Sequence, residues 1–161
     1  MTRRVTLLWH GNHPIGICVF SAPSRSLALR NRFFGIIKGS ADAFSLKKMN
    51  QQLWVLSRIV LHPTYRGAGL ASDFVRASCS SCPVPWIETL SVMGHLNPFF
   101  EKAGFKRVGV IRKEQKMSAR QYSRLYGGSN LTSETVRKSA HAEPVYYVFD
   151  NRQPGSGNHP L

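Results

Sequence analysis

Acidic residues are scarce in this sequence. Against 22 Lys and Arg it has only 8 Asp and Glu, which leaves a formal net charge of +14 and a pI near 10.5. A field of that sign favours polyanions, whether nucleic acid, the ribosome or an anionic membrane face, and it equally favours an anionic coenzyme. Cysteine is nearly as sparse. Cys18, Cys79 and Cys82 are too few for a disulfide framework, and the single Cys-x-x-Cys pair has no nearby His pair to complete a metal site. Cys79 and Cys82 fall instead near the end of a predicted helix, where small half-buried thiols are common. No apolar run reaches the ~18 residues of a membrane helix and no signal-peptide pattern opens the chain, so membrane insertion is excluded and a cytoplasmic protein is expected. A Gly-x4-Gly-Lys-Ser/Thr loop is missing, which excludes a P-loop ATPase. A Gly-x-Gly-x-x-Gly dinucleotide fingerprint is missing too.

What remains reads as one globular domain over residues 1–152, with a Pro-, Gly- and Asn-rich tail at 153–161 expected to be disordered. Its centre is Leu53 to Ala71. Trp54, Val55, Leu56, Ile59, Val60 and Leu61 form a strand rich in β-formers, ended by His62-Pro63. Arg66-Gly67-Ala68-Gly69 then leads into Leu70, Ala71, Phe74 and Val75 at helical spacing. A glycine-rich turn at a helix N-terminus lets a phosphate come close to several backbone N–H groups, and Arg66 adds a cation. The chemistry predicted is binding of a phosphorylated ligand.

Around that centre, Arg3–His10 and Ile15–Phe20 read as a hairpin turning at Gly11-Asn12-His13-Pro14. Residues 21–52 form a first basic insertion, with Arg25, Arg30, Arg32, Lys38, Lys47 and Lys48 beside Phe33 and Phe34. Cations for phosphates and aromatic faces for bases suit exposed nucleic acid. The alternative is a loop covering the sheet, with the two phenylalanines plugged into the core. A helix from Gly69 to about Ser80 is followed by a strand from Trp86 to Val92, a right-handed βαβ unit with parallel strands. Asn97-Pro98 starts a short helix that Gly104 ends, and a strand begins at Phe105. A second basic insertion spans about 113–143, before a strand from Val145 to Phe149.

Two stretches carry a family resemblance. Tyr65-Arg66-Gly67-Ala68-Gly69-Leu70-Ala71 resembles the Arg/Gln-x-x-Gly-x-Gly/Ala signature of the GNAT superfamily of N-acetyltransferases. Phe99-Phe100-Glu101-Lys102-Ala103-Gly104-Phe105, in the expected order downstream, looks like the family's hydrophobic-Tyr-Glu-Lys-x-Gly-Phe ending. The resemblance implies an α/β fold with a mixed sheet, here lacking the usual N-terminal strand and helices, and acetyl-CoA as acyl donor. Ile59, Val60 and Leu61, Arg66 to Ala71, Asn97 and Phe100 would line the coenzyme, with backbone N–H groups near Val60 or Leu61 as oxyanion donors.

The resemblance also implies that the two central parallel strands splay, with the thioester between them. Candidates for the transfer are therefore Glu88 as base, Ser91, Asn97 and Arg58, the last facing either Glu88 or an anionic substrate. His62 is expected to be structural, and His95 to lie near the acceptor or coenzyme. Two departures stand out. The usual acid tyrosine falls at Phe100, and the strand Leu53–Leu61 has no glutamate. A narrower likeness, through NRFFG, WVLSRIVLHPTYRGAGLA, WIETLSVMGHLNPFFEKAGF and PVYYVFDNR, is to acetyltransferase domains associated with ABC-type ATPases and to phage Mom DNA-modification proteins. It implies nucleic acid as acceptor, through a base amine, and an ABC-type ATPase as partner or fusion. The other readings are a protein or small-amine N-acetyltransferase, and an inactive GNAT-derived binding module.

Overall fold

The hairpin forms as its alternation predicts. Strand β1 (Thr2–His10) and strand β2 (His13–Ser21) pair antiparallel through Gly11-Asn12, with Gly11 at φ +57° in the left-handed region a two-residue hairpin turn demands. The computed structural model describes residues 1–36, 46–112 and 143–152, with Leu46 and Lys47 by backbone alone. After the hairpin come α1 (Ala28–Phe33), α2 (Leu46–Gln52), β3 (Leu53–Leu61), α3 (Leu70–Ser80), β4 (Trp86–Ser91), α4 (Phe99–Lys102), β5 (Lys106–Val110) and β6 (Val145–Asp150). The described strands make one mixed sheet in the order β1-β2-β3-β4-β6-β5, and among them only β3 and β4 are parallel, joined through α3. None of the described helices is long and apolar enough to cross a membrane.

The sheet is covered on two faces by different parts of the chain. On one, α3 and α4 bring Phe74, Val75 and Phe100 onto Cys18, Phe20, Leu56, Ile87 and Tyr147. On the other, the connection between β2 and β3 brings Phe34 and Met49 onto Leu53, Trp86, Tyr146 and Val148. This corrects the expectation that residues 21–52 grip nucleic acid through Arg30 and Phe33. Phe33 stands edge-on to Phe34 and Trp86, at centroid distances of 4.8 and 6.4 Å. Arg30 is 1% exposed, because its guanidinium is taken up by the carboxylate of Glu88. A helix that must cover an apolar sheet turns its aromatics inward, and a buried guanidinium follows only where a carboxylate waits for it. Arg25, Arg32 and Lys48 are on the surface of this cover. Lys38, the Lys47 side chain, residues 113–142 and the 153–161 tail lie outside the described residues.

Candidate active site

The site begins where the sheet comes apart. The parallel ladder lasts only three pairs, Leu53 with Trp86, Trp54 with Ile87 and Val55 with Glu88. Beyond it β3 and β4 diverge, and the Thr89 hydroxyl donates to the Leu56 carbonyl at 2.8 Å, closing the fork with a side chain in place of a strand neighbour. At the same level the register of β3 on β2 slips between Val19 and Phe20, leaving Ser57 as the extra residue of a β-bulge. The Ser57 hydroxyl donates to the Val19 carbonyl at 3.0 Å and accepts from Ser21 at 2.8 Å. This opening explains why Ser57 and Arg58 occur mid-strand in an otherwise apolar run. From Ser57 onward β3 has no strand beside it on the β4 side, so it is not the doubly buried strand its composition suggests.

The space between the diverging strands is a cleft of about 370 Å³. Leu56, Ile59 and Leu61 line it from β3, Thr89 and Ser91 from β4, and Phe99 and Phe100 from α4. Among the described residues Arg58 and Arg66 are its charged side chains, and no carboxylate lines it. At the Leu61 end the chain makes a 3-10 turn over Pro63–Tyr65, tied to β1 by the Tyr65 hydroxyl and His10 Nδ1 at 2.7 Å. Then Gly67 and Gly69 take φ of +83° and +78°, and Gly69 caps α3 without any side-chain cap. The first amides of α3 therefore lack an internal acceptor, and an added Cβ at either glycine would meet nothing within 4 Å. Arg66 Nε donates to the Leu61 carbonyl at 3.0 Å, which holds its guanidinium at the junction of loop and cleft. This is an open concave row of donors with a fixed cation beside it, which suits a phosphate.

Two solved structures share this architecture. A Bacillus subtilis acetyltransferase in complex with CoA superposes with a TM-score of 0.51 at 11% identity, over 91% of this chain and 75% of its own. A GNAT-family acetyltransferase from Bacillus cereus gives 0.50 at 15% identity, over 93% and 72%. The fold is that of GNAT acetyltransferases. No protein-family model and no curated protein matches the sequence.

Within this GNAT fold the predicted residues divide into three groups. Arg58, Ile59, Leu61, Arg66, Ala71, Ser91 and Phe100 come together around the cleft. Gly67, Ala68, Gly69 and Leu70 form its exposed loop, while Val60 turns to the other side of β3, against Leu7 and Ile17. Glu88 and Asn97 depart from expectation. Glu88 is 3% exposed and accepts from Arg30 Nε at 2.8 Å, from Arg30 Nη2 at 2.5 Å and from the Tyr146 hydroxyl at 2.8 Å. A carboxylate buried outside the cleft and paired with a guanidinium is not placed to take a proton from an acceptor there. Asn97 Oδ1 accepts from the Phe99 amide at 3.1 Å, so it shapes the start of α4. His95 likewise faces the Glu143 carbonyl at 2.6 Å.

Neither Tyr146 nor Tyr147 lines the cleft, so neither replaces the acid missing at Phe100. Burial, helped by Glu88, raises Tyr146 well above the ordinary tyrosine range. Burial also pushes Tyr147 up to about 12, reinforced by its hydrogen bond to Glu101 at 2.9 Å. Two residues of the fork and cleft, Thr89 and Phe99, were not among those expected there. Thr89 left a signal of the same kind as Ser57, a hydroxyl amid the buried run Trp86-Ile87 of a central strand.

Proposed function

We propose that this chain is an acyl-CoA-dependent N-acyltransferase, acting in the cytoplasm on an exocyclic base amine of nucleic acid. The observation that carries the coenzyme half is the continuity of the β3–β4 fork with the uncapped, glycine-lined start of α3. Arg66 and the amides of residues 67–71 would hold the coenzyme diphosphate. The open edge of β3 from Ser57 to Leu61 would pair with the pantetheine amides, and the thioester supplies the activated acyl group beside the fork. Backbone donors at the Ser57 bulge fit the developing oxyanion. The neighbour solved with CoA supports acetyl-CoA as donor.

The acceptor half rests on what the cleft lacks. With no carboxylate among the described residues that line it, none of these attracts an alkylammonium or strips its proton. An amine that is already neutral, as on a nucleobase, needs neither. The net charge of +14 and the exposed Arg25, Arg32 and Lys48 favour a polyanion carrying that amine. This keeps the likeness to ABC-ATPase-associated acetyltransferase domains and Mom proteins within the proposal. The test incubates the full chain with acetyl-CoA and DNA or tRNA, then digests to nucleosides for mass spectrometry. One nucleoside heavier by an acetyl group is the expected product. Coenzyme binding with unmodified nucleosides would instead support a protein or small-amine acceptor.

A further inference from the structure

Among the described residues two cations line the cleft, Arg58 and Arg66, and Arg66 is held by a backbone carbonyl. Among the described residues Arg58 has neither an ion pair nor a side-chain hydrogen bond, although it lines the cleft from mid-strand. No Asp or Glu is among the described residues that line the cleft with it. The surroundings are apolar instead. Val19 is opposite it on β2, and Leu90 and Met93, 46% and 55% exposed, line the same cleft. An exposed guanidinium set among aliphatic side chains, without a partner, is a ready recognition point for a planar anion with an apolar body.

We infer that the acceptor is a weakly basic amine bearing an anionic group of its own, which Arg58 holds while Leu90 and Met93 carry its apolar part. The inference rests on the acyltransferase reading and narrows its substrate. Arg58 is thus a specificity-determining residue of the acceptor side, separate from the phosphate loop at Arg66. The anion can be a phosphate or a carboxylate, since both match the guanidinium fork. The step balances without any other reactant. The amine nitrogen forms a bond to the acyl carbon as the carbon–sulfur bond breaks, and the proton lost by nitrogen is taken up by the departing thiolate.

The experiment compares paired acceptors with acetyl-CoA, following thiol release and product mass. AMP is set against adenosine, 4-aminobenzoate against aniline, and spermidine serves as the cationic control. The wild type is expected to favour the anionic member of one pair by roughly ten- to a hundredfold in kcat/KM. Which pair responds identifies phosphate or carboxylate. In Arg58→Gln that preference collapses and in Arg58→Lys it is partly kept, while the thermal shift given by coenzyme A is unchanged in both. Equal use of both members, a preference for spermidine, or an intact preference in Arg58→Gln would overturn the inference. So would a wild type that binds coenzyme A and acylates none of these acceptors, with the coenzyme reading left standing. Absence of any coenzyme A shift would overturn both.

Discussion

Arg30 on α1 and Glu88 on β4, 58 residues apart, form a buried pair in which both carboxylate oxygens are held by one guanidinium. The Tyr146 hydroxyl donates to the same carboxylate, and Arg30 Nη1 donates onward to the Ser24 carbonyl at 2.7 Å. Because Glu88 is the last β4 residue of the parallel ladder, this pair fastens the α1–α2 cover to the point where the fork opens. Removing one partner leaves the other charged and buried. Arg30→Met is therefore expected to lose about 3–5 kcal/mol, and Arg30→Met/Glu88→Leu much less than the sum of the two single variants. Urea unfolding of the three variants is the check. Glu88→Gln, measured well below its melting temperature, should retain turnover within a few-fold, because the carboxylate is a fastening and not a base.

The phosphate loop depends on two backbone conformations more than on side chains. Gly67 and Gly69 have φ of +83° and +78° with open space where a Cβ would stand, so Ala clashes with nothing there and is disfavoured by its own backbone alone. Gly69→Ala should cost about 1–2 kcal/mol and weaken coenzyme A binding. Thermal melts with and without coenzyme A separate the two effects.

At the fork, Thr89→Val keeps the shape and removes the donor to the Leu56 carbonyl. A loss of about 1–3 kcal/mol is expected from that buried acceptor. The Michaelis constant for acetyl-CoA should move with it, since both walls of the cleft start at this point.

Much of this was legible in the sequence, and the reasons differ by element. The hairpin, the Tyr65–Ala71 loop and α3 were legible because turn glycines and local periodicity fix them within a few residues. The Phe99–Phe105 ending was legible for the same reason. The burial of Arg30 was not, because a guanidinium in a polar connection reads as solvent-facing until its partner 58 residues away is brought to it. Nor was the exposure of β3 beyond Leu56. Its apolar composition predicts two covered faces, and the early end of pairing with β4 is a tertiary property. The role of Asn97 was half legible: its place at the start of α4 was plain, and its oxygen is used there.

The thiols should be inert in the folded protein. Burial raises Cys18 and Cys82 from an ordinary value near 9 to about 11, and raises Cys79 further. An aromatic disulfide reagent at mildly alkaline pH should label none of them quickly in the native state and all three in denaturant. The sign of the linkage follows. The unfolded chain loses these protons near its ordinary value and the folded chain only near 11, so their contribution is intact below 9 and falls as pH rises through that interval. Unfolding titrations across that range check it.

A neutral acceptor amine predicts a flat profile. From about pH 6 to about pH 9, kcat/KM for the preferred acceptor should change little, because neither a base nor an ammonium titrates. An alkylamine acceptor would give a tenfold rise per pH unit instead, which initial rates in a constant-ionic-strength buffer series would reveal.

The central claim is that the glycine loop and the β3–β4 fork take an acyl-CoA, and calorimetric titration of acetyl-CoA into the wild type and Arg66→Glu tests it most directly. One equivalent should bind the wild type, with affinity in Arg66→Glu reduced roughly ten- to a hundredfold by the reversed charge at the diphosphate. No binding to the wild type, or equal binding to both, would contradict it.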